Sequence, residues 1–216
     1  MGHASSSSRE PRPPPPPLQR PAEVPIGVIP GFTVHTEQIV LKLEEKRLSF
    51  SGDDFYITDA FTGETVLGCM ARSFSLSQKK EFVDAQNALI FRLEKQALSF
   101  RGTFLGTAAH DENQLLFTVK SSFGFGGASI STTFVNAADG RNLELCLVGD
   151  FFNMEAIITL GEGGPAIATI SRDYLNTREM FSGQQTYFLT VAPGVDVSLL
   201  SALCVCLDEI RNDNRR

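Results

Sequence analysis

The stretch Val195–Ile210, V-D-V-S-L-L-S-A-L-C-V-C-L-D-E-I, limits the fold more than any other part of the chain. From Val197 to Leu207 the only polar residues are Ser198 and Ser201, and both are small. At 3.6 residues per turn, apolar side chains then cover the whole circumference of a helix. Such a helix must be enclosed on every side by protein or by lipid. A bilayer needs about 20 apolar residues, and Asp208 and Glu209 end this run early. The sequence therefore predicts a helix sheathed by protein. Asp196, following the Pro193–Gly194 turn, is placed to cap it by accepting backbone N–H bonds of the first turn.

The sheath has to come from β-structure. From Ile39 the chain runs as short β-type segments: Ile39–Leu43, Leu48–Phe50, Phe55–Thr58, Thr65–Ala71, Phe74–Phe82, Ala88–Leu93 and Leu98–Phe104. Leu115–Lys120, Ser129–Val135, Leu143–Val148, Met154–Leu160, Ala166–Ile170 and Tyr187–Val191 follow. Turn residues punctuate them about every 8–14 residues. Only Ser77–Val83 also admits a short helical turn. Asp59-Ala-Phe-Thr-Gly-Glu, Asp84-Ala-Gln-Asn, Asn136-Ala-Ala-Asp-Gly-Arg and Gly161-Glu-Gly-Gly-Pro echo one another as hairpin turns, which makes the flanking strands antiparallel neighbours. Closure into a barrel removes the edges of such a series. About twelve strands enclose more space than their own side chains fill, and the apolar helix is the natural occupant. The expected fold is mainly β: a closed antiparallel β-barrel of about twelve strands around a central hydrophobic C-terminal α-helix. Seventeen Phe against no Trp and three Tyr imply a Phe-packed interior.

Residues 1–30 read as a disordered Pro/Ser-rich tail, with the barrel domain spanning 31–216. Pro13–Pro17 favours extended polyproline II and cannot bury a core. Leu18 falls where a P-x-x-P ligand with a basic flank would need proline, so the segment is first a spacer and second an arm for a protein partner. Met1, Gly2 and Ser6 match an N-myristoylation pattern in form, with His3 a poor fit. The tail carries a charge of +1 and the remainder −7, and a domain that acidic excludes non-specific nucleic-acid binding, which needs cations to displace counterions. Cys69, Cys146, Cys204 and Cys206 lack a disulfide-framework spacing. Free thiols in a reducing compartment fit them best. The N-terminus has no apolar leader run. The expectation is a cytoplasmic protein, peripheral at a membrane where it meets lipid, with no transmembrane span.

Phe55-Tyr-Ile-Thr-Asp59, Leu115-Leu-Phe-Thr-Val-Lys120-Ser-Ser, and Thr190-Val-Ala-Pro-Gly-Val-Asp196 leading into Leu203-Cys-Val-Cys-Leu-Asp-Glu209 carry a family likeness. Leu93-Glu-Lys95 with Phe100-Arg-Gly102 adds to it, although family members place a Trp nearby and the aromatic here is Phe104. Over about residues 35–211 the chain resembles the LURP-one-related proteins, within the tubby C-terminal-like superfamily that includes the phospholipid scramblases. The resemblance implies the barrel with a central helix and brings no established enzyme activity. Tubby domains bind phosphoinositides, but their basic lipid site has no residue-level counterpart here.

Candidate chemistry is sparse. His35 and His110 are the domain's histidines, neither lies near a nucleophile motif, and both read as solvated. Cys204 and Cys206, at i and i+2, point about 200° apart on a helix and cannot readily share a metal or a disulfide. Phe123-Gly-Phe-Gly-Gly-Ala-Ser129 lacks the Gly-Lys-Ser/Thr ending of a phosphate loop and reads as a hairpin. Asp53, Asp54 and Asp59 lack EF-hand spacing and suit strand ends and turns. No cofactor is implied. Lys79, Lys80, Arg101 and Lys120 form the candidate patch for an anionic membrane lipid, where each basic residue contributes about 1 kcal/mol. The expected function is a non-catalytic binding or adaptor module of the tubby-like type, contacting phosphoinositide or other membrane lipid. The alternatives are a scramblase-like lipid handler and an enzyme with an unrecognised site at the barrel mouth.

Overall fold

The computed structural model describes residues 16–21, 24–46, 54–71, 79–96, 102–124, 127–150, 153–172 and 186–213. Twelve strands run in chain order: β1 (Ile39–Lys46), β2 (Asp54–Asp59), β3 (Thr65–Ala71), β4 (Lys79–Asp84), β5 (Leu89–Lys95), β6 (Thr103–Ala108), β7 (Leu115–Gly124), β8 (Gly127–Val135), β9 (Asn142–Asp150), β10 (Glu155–Leu160), β11 (Ala166–Ser171) and β12 (Thr186–Val191). The helix α1 (Val197–Asp213) ends the described chain. Each strand pairs antiparallel with its sequence neighbours, and β1 closes the barrel on β12 from Ile39↔Val191 to Glu44↔Thr186.

The turns that echo in the sequence all join an even strand to the following odd one, so they share one rim. Asp59 Oδ1 accepts N–H bonds from Phe61 and Thr62, each at 2.8 Å. Asp84 Oδ1 does the same for Gln86 and Ala88, at 2.9 and 2.8 Å. Just before three of these turns the register slips, at Ile57/Thr58, Phe82/Val83 and Ile158/Thr159, and it slips again at Gly106/Thr107 before the β6–β7 turn. Such irregularities bend a strand and raise its twist, which helps a sheet close. Ser77–Val83 holds no helical turn among its described residues, because Lys79–Asp84 is β4. Its side chains alternate between faces, the pattern of a strand with one buried side. The Leu48–Phe50 segment lies outside the described residues.

Every strand sends side chains into one apolar cluster, which also contains Val197, Leu199, Leu200 and Ala202–Leu207 of α1. From Leu199 to Leu207 each residue is 0% exposed, on every face of the helix. The helix therefore occupies the lumen. The Phe-rich interior is real: Phe82 stacks on Phe91 with centroids 4.6 Å apart, and Phe91 meets Phe117 edge-on at 5.4 Å. Gly106 makes room for this, since a Cβ there would lie 2.2 Å from the Phe117 ring.

The tail boundary at residue 30 needs correction. Ile26 and Val28 are 3% and 7% exposed and belong to the core cluster. Ile26 pairs with Val195 in a parallel bridge, and Gln19 N–H donates to the Ala166 carbonyl at 2.8 Å. Two apolar residues in a polar, Pro-rich context carry no period, so the strap they form had no sequence signature.

Candidate functional site

Three places concentrate polar chemistry: the first turn of α1, its last turn, and the outer wall of the barrel. At the first turn the Asp196 carboxylate is 0% exposed. Its Oδ1 accepts the Ser198 N–H at 2.9 Å, the Ser198 hydroxyl at 2.6 Å and the Leu199 N–H at 3.1 Å. Its Oδ2 accepts the N–H groups of Val28 and Ile29 at 2.9 and 2.8 Å. Burial raises the Asp196 pKa above the usual carboxylate range, while the donors pull it down. Gly27 lies so close that a Cβ would sit 2.1 Å from the Asp196 Cβ. Asn136 completes the knot: its Oδ1 accepts the Gly27 N–H at 2.9 Å and its Nδ2 donates to the Pro25 carbonyl at 3.1 Å. His35 is a clamp here and not a solvated side chain, with Nε2 2.8 Å from the Val195 carbonyl and Nδ1 2.9 Å from that of Glu37. A hollow of about 340 Å³ beside it is lined by Arg20, Pro25, Val34, His35 and Pro193, among others.

At the last turn the interior becomes charged. Lys80 Nζ lies 2.9 Å from Glu209 Oε1, with side-chain exposures of 6% and 16%. Lys95 pairs with Asp213, and Arg211 with Asp208 within the helix. Asn212 Nδ2 donates to Asp208 at 3.0 Å. Burial raises the Asp208 pKa against the pull of Arg211. It also raises the Cys204 and Cys206 thiols well above their ordinary value, leaving both protonated and poorly nucleophilic at neutral pH. The Tyr187 and Ser201 hydroxyls are buried without a hydrogen-bond partner among the described residues.

The outer wall differs from strand to strand. Across β4 and β5, Lys79 lies 3.4 Å from Glu94 and 3.5 Å from Glu112, and Arg92 lies 3.6 Å from Glu81 and 3.3 Å from Glu112. Across β7, β8 and β9 the outward rows read Thr118–Thr133–Glu144, Lys120–Ser131–Cys146 and Ser122–Ser129–Val148. Ser122 and Ser129 hydroxyls are 2.7 Å apart. Near the tight-turn rim this wall opens into a groove of about 380 Å³, lined by Leu115, Leu116, Thr133, Val135, Leu143 and Glu144 among others. Leu115 and Val135 are 55% and 56% exposed.

The candidate lipid patch is not assembled on one face. Lys79 faces outward into its carboxylates and Lys80 faces inward to the helix, because adjacent strand residues point to opposite sides. Lys120 is exposed on β7, and Arg101 lies outside the described residues. His110 is exposed in the turn after β6. Asp54 closes a strand end by accepting the Ala71 N–H at 2.8 Å, while Asp53 lies outside the described residues. Gly124 pairs with Gly127, the hairpin expected of the Gly-rich segment. Among the described residues no three His, Cys, Asp or Glu side chains are placed to share a metal ion, and no helix is long and apolar enough to cross a membrane. Sequence reasoning missed Asn136, Gly27 and the Lys80–Glu209 pair. Only the alternation Lys79-Lys80-Glu81-Phe82 could have signalled that Lys80 shares the buried face of Phe82.

Comparison with known proteins agrees with this architecture. The LURP-one-related family profile matches residues 39–208. The chain is 23% identical over 180 residues to protein LURP-one-related 15 of Arabidopsis thaliana, an alignment covering 82% of each chain. An X-ray structure of an Arabidopsis thaliana protein superposes with a TM-score of 0.59 at 20% identity, covering 86% of this chain and 98% of that one.

Proposed function

The chain belongs to the LURP-one-related family, and on that premise we propose that it is a non-catalytic binding module that meets its partner on the outer wall of the barrel. The single observation that carries this reading is the filled lumen: α1 is buried on all faces where a barrel enzyme or lipid carrier would hold its ligand. Charged groups at both ends of the helix fasten it, Asp196 with five donors and Lys80 with Glu209. A scramblase-like action requires α1 to leave the barrel, and these fastenings oppose that. The anionic-lipid part of the reading rests on Lys120, since Lys79 and Lys80 are engaged by carboxylates.

Sedimentation with vesicles containing phosphatidylinositol phosphates at low ionic strength tests the lipid part. The expected result is binding by the whole chain that falls in Lys120→Glu. No binding by the unaltered chain removes lipid and leaves a protein partner on the same wall.

A further inference from the structure

The groove on β7–β9 combines aliphatic exposure with a carboxylate, unlike the ion-paired wall of β4–β5. Leu116, Val135 and Leu143 supply apolar lining, and Glu144 stands at its side.

The N-terminal arm is rooted close by. Gln19 N–H bonds the Ala166 carbonyl on β11, and the turn preceding β11 touches the groove strand directly, Gly161 N–H donating to the Glu144 carbonyl at 2.8 Å. The path from Ala166 to β9 crosses two inter-strand spacings, about 10 Å. Residues 1–15 precede the first described residue, and as polyproline II they would reach about 45 Å. They contain Arg9 and Arg12, against Glu10 alone, and begin the proline run that continues through Pro17. A prolyl segment has little conformational freedom left to lose on docking, and tethering raises its effective concentration to about the millimolar range.

The geometry points to residues 9–15 of this same chain as the occupant of the groove: prolines against Leu116, Val135 and Leu143, and an arginine against Glu144. The inference stands whether the external partner of the wall is lipid or protein.

The chain contains no Trp, so Val135→Trp places a single indole in the groove of the full chain. Acrylamide quenching is compared between this protein and the same protein carrying Arg9→Glu with Arg12→Glu, which alters no barrel residue. The expected result is about a twofold rise in quenching on charge reversal, returning toward the starting value when Glu144→Arg is added. Equal quenching with both arms overturns the proposal. So does quenching that falls with protein concentration, which would make a second copy the occupant.

Discussion

At its first turn α1 is fastened by one carboxylate on which backbone and hydroxyl donors converge. At its last turn it is fastened by side-chain pairs, Lys80 with Glu209 and Lys95 with Asp213. The first arrangement ties three separate segments, the strap, the β8–β9 turn and the helix, into one hydrogen-bonded knot around fixed backbone groups. The second ties long side chains whose outer members are partly in water. Backbone donors cannot swing away from a lost acceptor, whereas a lysine at a barrel mouth can turn to solvent. The start of the helix is therefore the less forgiving end.

The predictions that separate the ends run from large to small. In the middle, Leu203→Asp places an unpaired carboxylate in a fully apolar environment and should abolish the cooperative thermal transition; an unchanged melting temperature would detach the helix from the core. Asp196→Ala leaves five donors unpaired, and it should cost about 3–5 kcal/mol in urea unfolding. Lys80→Met alone strands Glu209 and should cost about 2–4 kcal/mol, but Lys80→Met with Glu209→Leu should recover most of it, because a buried pair replaced by apolar groups is nearly neutral. A double variant as weak as the single would mean the exit end is as demanding as the start. Gly27→Ala should cost about 1–3 kcal/mol through overlap with Asp196.

The smallest effect is a pH dependence. Burial holds the folded-state pKa of Asp196 above its unfolded value, so the folded protein binds that proton more tightly. Relative to Asp196→Asn, the native protein should gain stability as the pH falls from about 7 to about 4, and lose that gain as the pH rises through the folded-state value. Urea midpoints of the two proteins across this range, diverging in the opposite sense, would contradict it.

Much of the fold could be read before any coordinates, because it rests on local patterns. Asp196 as cap, the Asp59 and Asp84 turns, and the all-round apolar run each follow from a few consecutive residues. The strap was not legible: Ile26 and Val28 are buried by contacts with Val195, Asp196 and Asn136, more than a hundred residues away. The family match begins at Ile39 and leaves the strap outside it. The candidate lipid patch failed to gather for a simpler reason. Lys79 and Lys80 are neighbours in sequence, and neighbours on a strand face opposite sides. The groove escaped notice because Leu116, Val135 and Glu144 come from three strands and share no motif.

Native-state hydrogen exchange along α1 tests the central claim most directly. If the helix is the barrel's core, fastened hardest at its start, the Leu200–Leu207 amides should exchange only through global unfolding, as slowly as the best-protected strand amides. Protection should decline only beyond Asp208. Helix amides that exchange well ahead of the strands, or protection that is strongest at Arg211 and weakest near Leu200, would contradict the account.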